Sequence, residues 1–317
     1  MKGYLLLTVL SLLIVLTAPL SALPDKPAPP ADDTPEEPAS NTQDETAFRV
    51  KNEATGEVLS FSEEDFLVGV VSCEMAPSSP VEALKAQTVA AYTYYCKQRA
   101  ASPDGVFSNV PETLFTVGTD EGMRTRFGDR YDKWHSLLTE TVQAVKGQKL
   151  LYNGEPITAC YHAISAGLTE RAADVWGGDY PYLQPVDSSG DLMAEGYEST
   201  VTVTPDNLKA ALLTLESDLV TDDDPATWFH DADTTKSGFV KTIAVGNKSF
   251  AGTKLRAALG LRSACFTVQY TDTGFLFTVH GYGHNVGMSQ TGAKYMANAG
   301  ADYKEILAHY YPGTTLQ

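Results

Sequence analysis

Six prolines and seven acidic residues alternate between positions 24 and 46, and this segment sets where a folded domain can begin. Proline lacks a backbone N–H donor, and acidic side chains keep their hydration, so such a segment cannot build a core. We therefore predict a disordered linker at 24–47. The folded domain is expected at 48–317, beginning at Phe48.

An apolar run precedes the linker, from Tyr4 to Leu23, with Lys2 in front of it. Both a signal peptide and a single membrane anchor fit this pattern. The residues at 20–23, LSAL, lack a clean small-x-small cleavage site, which favours a retained anchor at 1–23. Either alternative predicts that the rest of the chain is extracytoplasmic.

The net charge limits the kinds of molecule that the chain can bind. The chain of 317 residues carries a formal net charge of −17, whereas nucleic-acid binding depends on Lys and Arg at phosphates. We therefore expect no nucleic-acid partner. A glycan would have to be held by hydrogen bonds and aromatic faces. The four cysteines, which allow three disulfide pairings, are expected to be mostly small buried side chains: Cys73, Cys96, Cys160 and Cys265.

Local signals predict the first elements of the domain. Residues 49–60 resemble a hairpin, and Ser62 followed by three acidic residues is typical of a helix start. Pro77 ends that helix. Ser79 and Glu82 have capping-box spacing and open a second, alanine-rich helix that should form the centre of the core.

The rest of the domain, from residue 103 onward, gives local signals that are clear in some segments and weak in others. Residues 103–131 resemble a loop, and 187–270 are assigned to a covering subdomain with a mobile acidic stretch at 222–224. Further elements are expected in this order: a helix at 133–145, a hairpin turning at Asn153-Gly154, strands at 156–162 and 239–245, a helix ending at Gly260, a strand at 275–279, a glycine loop at 281–287 and two short helices, the second capped by Asp302. This mixture predicts a single α+β domain with small sheets.

Glu74 falls in the last turn of the first predicted helix. The helix macrodipole is negative there and disfavours a carboxylate, and the neighbouring side chains Val71, Cys73 and Met75 offer little solvation. Such a site would raise the pKa of Glu74, as a general acid requires. The alternative is an ordinary exposed glutamate at a helix end.

Three segments in order carry a resemblance to a known family. They are EM and EALKAQ within 74–87, YHAISAGLTE at 161–170 followed by VWG and PYL, and GYGHNVGMSQTGA at 281–293 followed by HYYPG. Together they resemble the stage II sporulation protein D family over about residues 58–315.

The resemblance implies a membrane-anchored lytic transglycosylase that cuts peptide-free peptidoglycan strands during forespore engulfment. It implies Glu74 as the catalytic residue. The implied partners are glycan strands, a cell-wall amidase of the stage II sporulation protein P type and other engulfment membrane proteins. Tyr92 stands where the family often has Arg, and residues 103–120 lack the Cys–His pair that binds zinc in some members. We therefore expect no metal and no cofactor.

Further contacts to substrate are expected from two small-residue loops: His162, Ser165 and Thr169 in the first, and Tyr282, His284 and Gln290 in the second. Small residues let a sugar ring approach closely, and glycines permit unusual backbone geometry. The alternative is that these polar groups brace their own loops. Of the aromatic residues nearby, one or two are expected to stack on sugar rings: Trp176, Tyr180, Tyr182 or Tyr282.

Two other functions stay open at this point. Relatives of the family named as amidase enhancers suggest a non-catalytic wall-binding module that recruits an amidase. A hydrolytic glycosidase would need a second carboxylate, for which Glu170 and Asp174 are the candidates.

Overall fold

The computed structural model describes residues 47–317. The predicted membrane segment at 1–23 lies outside the described residues, as does the predicted linker at 24–47 except for Ala47. The α-helices are α1 (Glu63–Glu74), α2 (Val81–Ala101), α3 (Asp120–Phe127), α4 (Tyr131–Ala144), α5 (Ala172–Val175), α6 (Pro205–Leu213), α7 (Gly252–Leu259), α8 (Gln290–Asn298) and α9 (Tyr303–Tyr310).

The strands form small separate sheets between these helices. In chain order they are β1 (Phe48–Lys51), β2 (Val58–Phe61), β3 (Val106–Phe107), β4 (Leu150–Tyr152), β5 (Glu155–Pro156), β6 (Tyr161–His162), β7 (Glu198–Val203), β8 (Phe229–Thr234), β9 (Val240–Val245), β10 (Lys248–Ala251), β11 (Phe266–Thr271), β12 (Gly274–His280), β13 (Met288–Ser289) and β14 (Thr315–Leu316). The expected mixed α+β class is confirmed.

The alanine-rich helix α2 lies at the centre of the main core. It packs against α1, α4, α8 and α9, and its alanines at 83, 86, 90 and 91 are fully buried. Alanine keeps the facing helices close because it carries no side chain beyond Cβ. This close packing brings α1 and α8, which are far apart in sequence, to one place.

The start of α2 differs from the predicted capping box. Pro80 occupies the N-cap position, so no side-chain hydrogen bond caps the helix there. The Glu82 carboxylate instead accepts from the backbone N–H of Tyr303 at 2.9 Å and pairs with Lys85 at 2.7 Å. Glu82 therefore joins the start of α2 to the start of α9, and α2 itself has no side-chain cap.

Residues 103–131 are not the loop that was predicted. They contain β3 and α3, and the Thr119 hydroxyl caps α3 by accepting from the backbone N–H of Gly122 at 3.0 Å. Met123 and Phe127 are buried against the main core. A short helix with only two buried apolar residues gives too weak a periodic pattern to be recognised.

A second hydrophobic cluster fills the region predicted as a covering subdomain. Its sheets β11-β12-β7 and β10-β9-β8 pack with α6 and α7 around aromatic residues such as Phe275 and Phe277. The acidic stretch at 222–224 is held in place, because Trp228 Nε1 donates to the Asp222 carbonyl at 2.8 Å. Asp224 also caps the short turn that follows, by accepting from the backbone N–H of Ala226.

Two short parallel strands join distant parts of the chain. β6 pairs with β13, so that Tyr161 lies opposite Met288 and His162 opposite Ser289. The predicted strand at 156–162 is divided, since β5 belongs instead to the sheet of β4 and β14. None of the helices within residues 47–317 has the length and apolar character needed to span a bilayer.

Candidate active site

Glu74 is the last residue of α1 and lies half-buried where α1, α2 and α8 meet. Gln290, the first residue of α8, donates from Nε2 to Glu74 Oε2 at 3.1 Å. The same nitrogen lies 3.3 Å from Oε1 of Gln87 on α2, which is fully buried. The two glutamines therefore fix the position of the carboxyl group.

The surroundings of Glu74 favour its protonated form. Burial raises the pKa of this carboxyl, and the hydrogen bond from Gln290 opposes the rise only in part. The carboxyl also sits at the negative end of the α1 dipole, as the sequence predicted. A pKa raised in this way is what a general acid requires.

Two cavities meet at Glu74. We name the first the aromatic cavity; it has a volume of about 250 Å³ and is lined by Glu74, Tyr94, Tyr95, Asn109, Val110, Pro111, Ala159, Cys160, Tyr161 and His284. We name the second the basic cavity; it has a volume of about 430 Å³ and is lined by residues 72–78, Arg126, Phe127, Arg130 and Trp134. Glu74 is the one described residue that lines both cavities.

Tyrosines form much of the aromatic cavity, and the sequence analysis did not single them out. The hydroxyls of Tyr95 and Tyr161 are hydrogen-bonded to each other, and burial raises the pKa of both. Both stay protonated, and since Tyr161 donates its proton to Tyr95, the Tyr95 hydroxyl keeps its own proton for a further hydrogen bond. Tyr161 lies within a recognised motif, directly before His162, which is the one signal that could have pointed to it.

The glycine loop packs against β6 and supplies His284. Gly283 and Gly287 have φ values of 119° and 70°, and a Cβ at Gly287 would lie 2.1 Å from the Cys160 carbonyl oxygen. His284 Nδ1 accepts from the backbone N–H of Val286 at 3.1 Å. Burial, together with the charge of Arg256, lowers the pKa of His284 to about 4, so it is neutral near pH 7.

Trp176 extends this wall towards solvent. Its ring lies edge-on to His284 with centroids 5.0 Å apart, and the residue is 47% exposed. Tyr182 is buried by contrast, and its hydroxyl accepts from the backbone N–H of Thr158. Among the candidates for stacking on a sugar, Trp176 thus has a free face close to His284.

His162 lies behind the loop, and it is not in the wall of the aromatic cavity. Its Nδ1 is 3.2 Å from the Val286 carbonyl oxygen, and its buried Nε2 has no partner within residues 47–317. Burial lowers the pKa of His162 to about 3. The ring centroid lies 5.6 Å from that of His284, so His162 supports the residue that faces the cavity.

Ser165 and Thr169 do not reach either cavity, contrary to expectation. Both have 0% exposure. The Ser165 backbone N–H donates to buried Asp191 at 2.8 Å, and the Thr169 hydroxyl accepts from the backbone N–H of Val186 at 2.9 Å. These bonds brace the loop internally, and so the two side chains have no surface left for substrate.

Tyr282 lines a different cavity from Glu74, together with Arg256 and Arg262. It is 47% exposed, and the Arg262 guanidinium lies 4.4 Å from its ring centroid. The neighbouring residues Tyr282 and His284 therefore face different cavities.

The two candidates for a second carboxylate also lie elsewhere. Glu170 and Asp174 line a further cavity. Glu170 is only 2% exposed and accepts hydrogen bonds from the hydroxyls of Thr235, at 2.9 Å, and Ser237. Glu74 is the one acidic residue among the described residues that line the aromatic and basic cavities.

Where the sequence departs from the family pattern, the residues make ordinary local contacts. The Tyr92 hydroxyl donates to Glu63 at 2.9 Å, at the start of α1. All four cysteines are free. Within the described part of the chain, no three His, Cys, Asp or Glu side chains are grouped so as to hold a metal ion.

Comparison with known proteins identifies the family to which the chain belongs. The family model described as "Stage II sporulation protein" matches residues 51–152. Stage II sporulation protein D of Bacillus subtilis (strain 168) is 31% identical over 258 residues, which cover 80% of this chain and 74% of that protein. The chain belongs to the stage II sporulation protein D family.

Two more relatives extend this comparison. Stage II sporulation protein D of Bacillus amyloliquefaciens is 32% identical over 260 residues, covering 80% of this chain and 73% of that protein. A protein of Bacillus subtilis (strain 168) named "Amidase enhancer" is 31% identical over 299 residues, covering 79% of this chain and 40% of the relative. The resemblance read from the three motifs is therefore confirmed, and it places the chain among sporulation proteins.

Proposed function

We propose that this protein is a lytic transglycosylase that cuts peptide-free glycan strands of peptidoglycan, with Glu74 as its acid and base. The observation that carries the proposal is a single carboxyl in the wall of two adjoining cavities, with a raised pKa and one amide donor. A glycan strand is long enough to occupy both cavities, so that a glycosidic bond lies at Glu74.

One carboxyl is sufficient for this reaction. Protonated Glu74 gives its proton to the glycosidic oxygen, and the bond from that oxygen to C1 of muramic acid breaks. The carboxylate then takes the proton of the C6 hydroxyl of the same sugar, whose oxygen bonds to C1 and closes a 1,6-anhydro ring. The nucleophile belongs to the substrate, so no second carboxylate is needed to activate water.

The other residues have supporting roles in this proposal. Gln290 holds the carboxyl group and is itself held by Gln87, and Tyr95 and Tyr161 line the aromatic cavity beside Glu74. His284 is a neutral ring in the cavity wall, held by Val286 and the Tyr161 backbone, and Trp176 offers an aromatic face beside it.

We also propose the setting that the family suggests. The protein would act outside the cytoplasm, held by the segment at 1–23, during forespore engulfment. Its partners would be glycan strands, an amidase of the stage II sporulation protein P type and other engulfment membrane proteins.

Mass spectrometry of the products tests the proposal. Full-length protein and its Glu74→Gln variant are incubated with peptide-free glycan strands. The expected products end in 1,6-anhydro-muramic acid and disappear with the variant. Products heavier by one water would indicate hydrolysis and a second carboxylate.

A second candidate function follows from the relative named "Amidase enhancer". In that case the cavities bind glycan without cutting it, and the protein recruits or stimulates a cell-wall amidase. Retained glycan binding with no cleavage, in both the wild type and Glu74→Gln, would favour this alternative.

A further inference from the structure

The basic cavity has a composition unlike that of the chain as a whole. The protein has 40 acidic and 23 basic residues, yet this cavity beside Glu74 is lined by Arg126 and Arg130. Arg126 lies in the last turn of α3, and Arg130 lies directly before α4. The half-buried ring of Trp134, in the first turn of α4, completes the wall.

Neither arginine forms an ion pair with an acidic residue within residues 47–317. Arg124, two residues before Arg126 on the same helix, is instead paired with Asp120 at 2.8 Å. The Arg126 guanidinium donates from Nη2 to the Ser72 carbonyl at 2.6 Å and lies over the Phe127 ring, 4.7 Å from its centroid. Its guanidinium has five N–H donors, so most of them remain for a ligand.

The other residues that line the basic cavity also favour an anion attached to a sugar as its ligand. Glu74 is the single carboxyl among the described residues that line the cavity, and burial raises its pKa, which favours the uncharged form. An aromatic ring packs well against a sugar face, and Trp134 presents one. Arginine binds carboxylates through two parallel hydrogen bonds, which gives geometric selection as well as affinity.

Peptidoglycan carries such an anionic sugar after the hydrolysis that removes a stem peptide. The lactyl carboxyl of muramic acid is tied up as a neutral amide while the stem peptide is attached. Hydrolysis of that amide adds water, releases the peptide and leaves a free carboxylate on the sugar. The strand therefore gains one lactyl carboxylate at each muramic acid from which a peptide is removed.

We propose that the basic cavity binds this free lactyl carboxylate through Arg126 and Arg130, with Trp134 against the sugar that carries it. The inference rests on the proposed function and deepens it, because it makes the enzyme selective for strands on which an amidase has already acted. The two arginines determine specificity, and Glu74 performs the chemistry.

The test compares two glycans that differ only in this charge. One is a set of peptide-free strands with free lactyl carboxylates, and the other is the same strands with the carboxyls converted to neutral methylamides. We expect kcat/KM of the full-length wild type to favour the charged strands by about tenfold, the size of one charge-assisted hydrogen bond. The Arg126→Gln/Arg130→Gln variant is expected to lose most of this preference.

Two further variants separate specificity from folding. Arg130→Gln alone leaves the bond between Arg126 and Ser72 in place, and should lose part of the preference without loss of stability. Arg124→Gln removes the same charge from α3 outside the cavity and should keep the wild-type preference. Equal cleavage of both strands by the wild type, or an undiminished preference in the double variant, overturns the proposal.

Binding measurements keep this test apart from that of the proposed function. The dissociation constants of both strands are measured with Glu74→Gln protein, alone and combined with Arg126→Gln/Arg130→Gln. If the wild type cleaves neither strand, the transglycosylase proposal fails, and the ratio of dissociation constants still decides the specificity proposal. A ratio near one overturns it, and a ratio near ten that the arginine variant abolishes supports it.

Discussion

Gln290 donates to the carboxylate of Glu74 at 3.1 Å, although 216 residues separate the two along the chain. This bond favours the ionised carboxyl, whereas burial favours the neutral one and has the larger effect on the pKa. Gln87 holds the amide of Gln290 from the other side. Gln290 therefore moderates a pKa that burial alone would raise further.

Replacing Gln290 by leucine should change the pH dependence of cleavage. Without the donor the pKa of Glu74 rises further, so the alkaline limb of kcat/KM against pH moves to higher pH. The maximal rate should fall about tenfold, as expected for the loss of a hydrogen bond to a charged group. Steady-state cleavage of peptide-free strands across the pH range measures both effects.

Gln143→Leu is the matched control for this experiment. Gln143 also donates to a glutamate, Glu64, at 3.1 Å, but on the exposed surface away from the cavities. It should leave the pH profile unchanged. An alkaline limb that stays in place in Gln290→Leu would show that Gln290 does not control the acid.

Glu74→Gln should stabilise the protein while it abolishes cleavage. Burial raises the folded-state pKa of Glu74 above its unfolded-state pKa. The neutral carboxyl therefore contributes its full stability below the unfolded-state pKa, and this contribution is lost as pH rises through the folded-state pKa. A neutral amide avoids that loss. Urea unfolding near pH 8 should give the variant a free energy of unfolding about 1 kcal/mol higher, and near pH 4 the difference should vanish.

His162 should make the fold sensitive to acid. Burial lowers its pKa to about 3, from 6.5 for an unburied histidine, so the unfolded chain takes up a proton that the folded protein refuses. Stability should fall as pH drops below about 6.5, by roughly 1.4 kcal/mol per pH unit for this residue, until its folded-state pKa is reached. His162→Gln should reduce that slope in urea unfolding, and an identical slope would contradict the assignment.

Glu170→Gln should leave the reaction intact. Glu170 is buried, is hydrogen-bonded by two hydroxyls and lines a cavity that does not include Glu74. The amide keeps the shape of the side chain, so the rate should change by less than about twofold, as for sites remote from chemistry. Loss of activity, with products one water heavier in the wild type, would identify a hydrolase with two carboxylates.

Local sequence signals were sufficient for several elements. Ser62 caps α1, Asn153 and Gly154 turn the β4–β5 hairpin with positive φ, and Asp302 and Glu305 form a capping box on α9. Each signal acts within a few residues, so it can be recognised without knowing the fold. The position of Glu74 at the end of α1 followed from such signals too.

The shape of the site depends on packing, and the sequence alone does not reveal it. The bond between Gln290 and Glu74 exists because α8 and α1 both pack on α2. Arg126 reaches the cavity from a segment without a clear periodic pattern. Ser165 was expected to contact substrate, but it is buried, and Asp191, from a distant turn, accepts from its backbone N–H.

The parallel pairing of β6 with β13 has a consequence for the order in which the protein is made. The strand after residue 160 acquires its partner only when Met288 and Ser289 have been synthesised, and Gln290 follows directly. A nascent chain halted before that point holds Glu74 but neither the amide that positions it nor the wall that contains His284. The groups that position Glu74 are therefore complete only after residue 290 has been added to the chain.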